Sequence, residues 1–144
     1  MFIDTVVLIK FNVSIALSQS HQFIENFLEM LAAERGSAQN TLDSYGRDLR
    51  HFEAYASAAI AEADNEDIRR YLAHLEREGM APATAARRLS ALRQFYRFLH
   101  SEGMRGDDPS SAIDSPRRVR PVPKVLTEAE IEQLLMAAKT YKGP

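Results

Sequence analysis

From Ser20 onward, apolar residues recur three and four positions apart. Phe23, Ile24, Phe27, Leu28 and Leu31 set the first such run, which predicts a helix closed by Gly36. A second helix is predicted from about Ala38 to about Ala58. Leu42, Tyr45, Leu49, Phe52 and Ala56 share its apolar face, while Asp43, Ser44, Arg47, Arg50 and His51 lie opposite. Asp48 sits at the edge of the apolar face, where it can pair with a neighbouring arginine. A third helix, capped near Asn65, carries Ile68, Tyr71, Leu72 and Leu75 and ends before Gly79. The fourth opens at Pro82, a residue favoured in a first helical turn, and runs to about Ser101. Leu89, Leu92, Phe95, Tyr96 and Leu99 form its apolar stripe. No strand pattern interrupts Ser20–Gly103, so the expected fold is all-α: a four-helix bundle with short connections.

The texture then changes. Asp107-Asp108-Pro109 breaks the chain, and Ser115–Lys124 (SPRRVRPVPK) holds three prolines and four cations. That stretch predicts an extended basic linker. Thr127 and Glu130 have the spacing of a capping box and open one more helix, with Ile131, Leu134 and Leu135 on its short apolar face. A lone helix of that length buries little, which suggests a second domain cut short. Residues 1–19 are apolar and rich in β-branched side chains. Asp4 and Lys10 spoil a secretory signal, and the run is too short for a transmembrane helix. The expectation is a poorly ordered or accessory extension, the alternatives being an extra or partner-binding strand or residues from a start site set too far upstream. The organisation is therefore 1–19 extension, 20–108 bundle, 109–124 linker and 125–144 the start of a second domain.

Composition adds boundaries. In 144 residues, 45% are hydrophobic and 26% charged, enough for a packed core. The absence of cysteine excludes disulfides and thiol chemistry and permits a reducing compartment. His21, His51, His74 and His100 are scattered without metal-site spacing, so no metal is expected. No Gly-rich phosphate loop or catalytic triad is visible, so no cofactor and no catalytic residue are assigned.

The net charge of −2 hides an asymmetry. Between Thr84 and His100 there are four arginines and no acid, whereas acids gather at Glu62–Asp67 and Glu76–Glu78. The outward face of the fourth helix carries Arg87, Ser90, Arg93, Gln94 and Arg97. Arginine pairs with phosphate or guanine, glutamine can read adenine, and a helix fits the major groove. Ordinary solvation also produces arginine faces; the absence of interleaved acids favours nucleic acid. Small hydroxyl and amide residues (Ser37, Gln39, Asn40, Thr41) at the start of the second helix can hold a phosphate or simply cap the helix. The basic linker can track a phosphate backbone or serve as a solvated spacer.

These segments resemble a known family. TLDSYGRDLRHFEAY (Thr41–Tyr55) and TAARRLSALRQFYRFLHSEG (Thr84–Gly103) are similar to the second and fourth helices of the core-binding domain of Xer-type tyrosine recombinases. DDP (Asp107–Pro109), the basic linker and PKVLTEAEIEQLL (Pro123–Leu135) follow in the family's order, so the likeness covers about residues 20–138. It implies a SAM-like bundle forming half of a clamp around duplex DNA, with a linker crossing to the catalytic half. Carried onto this sequence, the DNA-facing residues are Thr41, Ser44, Arg47, Thr84, Arg87, Arg88, Ser90, Arg93, Gln94 and Arg97, joined by Arg117, Arg118, Arg120 and Lys124 of the linker. Arg88 fits the helical wheel least, at the flank of the basic face.

The family cuts DNA with a tyrosine supported by an arginine, lysine and histidine cluster. These lie in the catalytic domain past the end of this chain, and Tyr141 lacks the surrounding motif of that tyrosine. The implied partners are duplex DNA and a second recombinase subunit, assembled as a tetramer when full length. The implied location is the cytoplasm, with no membrane contact. Two other readings fit the same pattern: the core-binding domain of a phage or integron integrase, and a non-enzymatic helical module meeting an acidic protein.

Overall fold

The structure, a computed structural model, describes residues 5–56, 58–116 and 127–140. Helix α1 spans Thr5–Arg35, α2 Gln39–Ala56, α3 Asn65–Arg77, α4 Pro82–Ser101 and α5 Glu128–Thr140, with a 3-10 turn at Ile60–Glu62. Among the described residues there is no strand.

The first four helices close around one core, as their apolar periodicity requires. Ile24, Phe27 and Leu31 of α1 meet Leu49 and Phe52 of α2, Ile68, Tyr71 and Leu75 of α3, and Leu89, Leu92, Phe95, Tyr96 and Leu99 of α4. All are essentially out of solvent, and each such side chain contributes about 1.5–3 kcal/mol by leaving water. Aromatic edges lock the centre: Phe27 meets Phe95 at 5.6 Å and Phe52 meets Tyr71 at 5.0 Å, both edge-on. The buried Tyr96 hydroxyl donates to the Ile60 carbonyl at 2.7 Å, fixing the 3-10 turn against α4.

The helix boundaries follow local chemistry. Gly36 and Gly79 adopt left-handed φ values of 56° and 73°, which end α1 and α3 without the strain a side chain would suffer. The cap of α3 is Asp64, one residue before the expected Asn65. Its carboxylate accepts from the Asp67 amide while Asp67 returns the bond, a complete capping box. Thr127 and Glu130 form the predicted box at α5. The apolar side chains of α5, Ile131, Leu134, Leu135 and Met136, are exposed.

Two features differ from the sequence expectation. The segment 5–19 is neither strand nor loose extension; it is the first half of α1. No glycine or proline occurs before Gly36, so nothing stops the helix, and the modest helix penalty of each Val or Ile does not outweigh that continuity. This half carries Val6, Ile9, Phe11 and Ile15 in solvent, and Ser20 is its first buried residue. Among the described residues no helix is long and apolar enough to cross a membrane.

The second difference follows α4. The packed chain continues past Asp108 to Ile113, which is buried. Arg105 Nη1 donates to the carbonyls of Ala61 at 2.7 Å and Ala63 at 2.6 Å, while Nε holds Asp107 at 2.7 Å. Asn65 Nδ2 donates to the Pro109 carbonyl at 3.1 Å. The segment expected to open the linker is thus strapped to the bundle.

Candidate nucleic-acid interface

Helices α2 and α4 meet along a seam whose outer edge is polar. Tyr45 and Asp48, one turn apart on α2, reach Gln94 and Arg87 of α4 respectively. Arg87, Ser90, Gln94 and Arg97 recur at helical spacing along α4 and form its outward stripe. No acid lies on α4. Thr41 and Arg47 stand exposed on the adjoining half of α2, with Ser44 half-buried beside them. The structure thus brings Thr41, Ser44, Arg47, Arg87, Ser90, Gln94 and Arg97 to the side of the bundle that the α2–α4 seam opens.

Arg87 is held rather than loose. Its Nε donates to Asp48 Oδ2 at 3.0 Å and its Nη2 to Oδ1 at 2.8 Å. Asp48 is 3% exposed and the Arg87 side chain 49% exposed, so a buried carboxylate anchors a guanidinium that still faces solvent. The hydrogen bond to Asp48 raises the arginine's already high pKa, keeping it charged. Arg47 Nε donates to the Asp43 carbonyl within α2 at 3.3 Å. Arg97 is exposed and has no hydrogen bond or ion pair with another described residue. Thr84 is half-buried at the start of α4.

Two expected contacts are turned elsewhere. Arg88 shares the buried face of α4 with Leu92, Phe95 and Leu99, and its side chain is only 12% exposed. It lies 3.7 Å from Asp48, donates to the Tyr71 hydroxyl at 3.2 Å and to His51 Nδ1 at 3.0 Å. Burial, then the Arg88 cation, then His74 push the His51 pKa below its usual value, with Asp48 opposing. Burial raises the Tyr71 pKa. Arg88 is thereby tied to the buried Tyr71 and to His51 at the exposed edge of the bundle. Arg93 points toward the strap: its guanidinium donates to the Ile113 carbonyl and, at 2.9 Å, to Ser115 Oγ. The linker cations Arg117, Arg118, Arg120 and Lys124, like Tyr141, lie outside the described residues.

One residue at the site has no signal in the sequence. Arg35 closes α1, where a cation is expected simply to face the helix C-terminus. Folding brings it to Gln94, 59 residues away, with Nη1 donating to Oε1 at 3.2 Å. Among the described residues, no cluster of His, Asp or Glu could hold a metal ion.

Chemically, the seam offers charged fork donors, hydroxyls and an amide on a rigid helix pair, the set that phosphates and base edges accept. Comparison with known proteins identifies the family. Residues 24–103 match the family described as phage integrase, N-terminal SAM-like domain. The chain is 50% identical over 115 residues to Tyrosine recombinase XerD of Agrobacterium fabrum, covering 78% of this chain and 35% of that protein. It is 49% identical over 125 residues to Tyrosine recombinase XerD of Caulobacter vibrioides, covering 85% and 41%. The chain therefore spans well under half the length of these relatives. Among solved structures, the integrase from mycobacterium phage Brujita superimposes with a TM-score of 0.64 at 22% identity, covering 80% of this chain and 39% of that one, a likeness of fold.

Proposed function

Since this chain belongs to the phage-integrase family of N-terminal SAM-like domains, and to its Xer-type tyrosine recombinase branch, we propose that it grips duplex DNA through the α2–α4 seam. The observation that carries this is the acid-free outward stripe of α4, Arg87–Ser90–Gln94–Arg97, set beside Thr41 and Arg47 of α2. In this reading α4 enters the major groove. Arg97, Arg47 and the solvent-facing side of Arg87 hold phosphates, and Gln94 faces a base edge. Arg117, Arg118, Arg120 and Lys124 follow the backbone away from the bundle.

Arg88 and Arg93 support the interface from within, one by fixing the α2–α3–α4 junction and the other by fixing the strap. The chain binds without cutting. Strand cleavage by the family's tyrosine belongs to a catalytic domain that α5 begins, in a full-length recombinase working as a tetramer on two DNA sites in the cytoplasm.

The test is a salt titration of binding to a labelled duplex bearing a Xer-type half-site, beside a scrambled duplex. Affinity should fall steeply with salt, by about 0.9 log units per log unit of salt for each phosphate neutralised. The half-site should bind more tightly than the scramble, and Arg97→Ala should reduce the salt slope by about 1. Equal and feeble binding to both duplexes would reject the reading and leave a basic bundle suited to an acidic protein.

A further inference from the structure

Three helices converge on a single amide. Arg35 at the end of α1 donates from Nη1 to Gln94 Oε1 at 3.2 Å, and Gln94 Nε2 donates to the Tyr45 hydroxyl of α2 at 2.9 Å. A glutamine amide is nearly symmetric in shape, and its two ends exchange with a half-turn of the last torsion. A guanidinium only donates, so the end of Gln94 that meets Arg35 must be the oxygen. The end that meets Tyr45 is then the nitrogen. Arg35 determines which end of the amide is the oxygen, and Tyr45, accepting from the nitrogen end, pins the plane of the amide.

The amide is not exhausted by these two bonds. Its oxygen has a second lone pair and its nitrogen a second hydrogen. That remaining pair, one acceptor and one donor of known handedness, is what the major-groove edge of adenine requires: its N6 amine donates and its N7 accepts. Gln94 sits on the outward stripe between Arg87 and Arg97, so the oriented amide belongs to the proposed DNA-facing surface. Tyr45 is half-buried, and its hydroxyl makes this hydrogen bond across the seam.

We infer that Arg35 and Tyr45 are positioning residues that orient the Gln94 amide for reading an adenine. They make Gln94 a specificity determinant rather than one more polar contact. This rests on the DNA-binding reading above. It adds a claim that reading does not contain: discrimination at one base pair depends on residues of α1 and α2 that need not touch that base. A glutamine held in advance also loses less side-chain freedom on binding.

The experiment uses the 144-residue chain, a duplex it selects from a random-sequence pool, and the set of single base-pair replacements in that duplex. For the wild type, replacing one A·T pair should weaken binding about 5- to 100-fold. Gln94→Ala should abolish the preference at that pair alone. Tyr45→Phe, which keeps the ring and removes the hydroxyl, should cut that preference at least threefold, leaving affinity for a scrambled duplex within about twofold. Arg35→Ala should do the same to the preference, and Arg35→Lys, which still only donates, should restore much of it. If Gln94→Ala abolishes the preference while Tyr45→Phe and Arg35→Ala preserve it, the positioning role is wrong. If Gln94→Ala changes no base preference, Gln94 is not a reader and the inference falls while DNA binding stands. If the wild type selects no duplex over the scramble, the DNA reading fails and the inference with it. Arg35 is exposed, so its variants keep the test decisive even if Tyr45→Phe fails to fold.

Discussion

Arg87 and Asp48 form a two-point ion pair across the α2–α4 seam, with the carboxylate buried and the guanidinium half in solvent. The arrangement is asymmetric in consequence. Asp48 also stands 3.7 Å from the largely buried Arg88, so one carboxylate answers two cations.

That asymmetry predicts unequal losses. Asp48→Ala leaves Arg88 without its counter-charge inside the bundle and should destabilise the fold by about 1–3 kcal/mol. Arg87→Ala leaves Asp48 still beside Arg88 and should cost less than about 1 kcal/mol. Urea denaturation of both variants checks this, and equal losses would show that Arg88 does not depend on Asp48.

Arg88 and Arg97 should separate stability from binding. Arg88→Ala removes the donor that joins Tyr71 and His51 across three helices, and should lower the thermal midpoint by several degrees, at about 4–8 °C per kcal/mol for a domain of this size. Arg97→Ala should leave the midpoint within about a degree or two and weaken DNA binding instead. Thermal melts read beside a duplex titration give both quantities, and the reverse pattern would place Arg88 on the DNA and Arg97 in the fold.

His51 predicts a loss of stability in mild acid. In the folded protein its pKa lies below the ordinary 6.5, through burial first and then the Arg88 cation. The unfolded chain therefore takes up a proton first as pH falls. The stability His51 contributes is present above pH 6.5 and is lost as pH drops through the lowered folded value. Replacing His51 with Gln should shrink the drop in urea midpoint between pH 7.5 and acid conditions. An unchanged drop would assign the acid sensitivity to other groups.

The first half of α1 should be dispensable for the bundle. No residue from Thr5 to Gln19 is buried, whereas Ser20, Ile24, Phe27 and Leu31 are. Removing residues 1–12 should leave the urea midpoint unchanged to within about 0.5 kcal/mol of stability and reduce self-association detected by light scattering, since it deletes exposed Val6, Ile9 and Phe11. A large loss of stability would mean that this half packs in solution.

Helical periodicity made the bundle legible before the structure. Beside it, Pro82 marked the start of α4, whose end was expected at about Ser101, and the spacing of Thr127 and Glu130 marked the box at α5. Periodicity also placed Asp48 at an edge where it could meet an arginine. Four things were not legible, for identifiable reasons. Arg88 lies at the flank of the wheel and counts as DNA-facing through the family likeness; its burial beside Leu92 and Phe95 depends on Asp48, 40 residues earlier, which only folding brings near. Arg93 is captured by a carbonyl of the strap, and nothing in SAIDS (residues 111–115) marks that stretch as packed except Ile113. Arg35 meets Gln94 only through the third dimension. In residues 5–19 the expectation is a poorly ordered or accessory extension, with a strand among the alternatives, while the absence of any helix breaker before Gly36 governed the outcome.

The left-handed glycines that end α1 and α3 also bear on how quickly the domain forms. Three residues separate α1 from α2 and four separate α3 from α4, so consecutive helices find each other with little chain to close. Bundles built from such local contacts fold in microseconds to milliseconds. Translation adds a residue roughly every tenth of a second. Once α4 and the strap have left the ribosome, the bundle can complete its core before the next amino acid is joined.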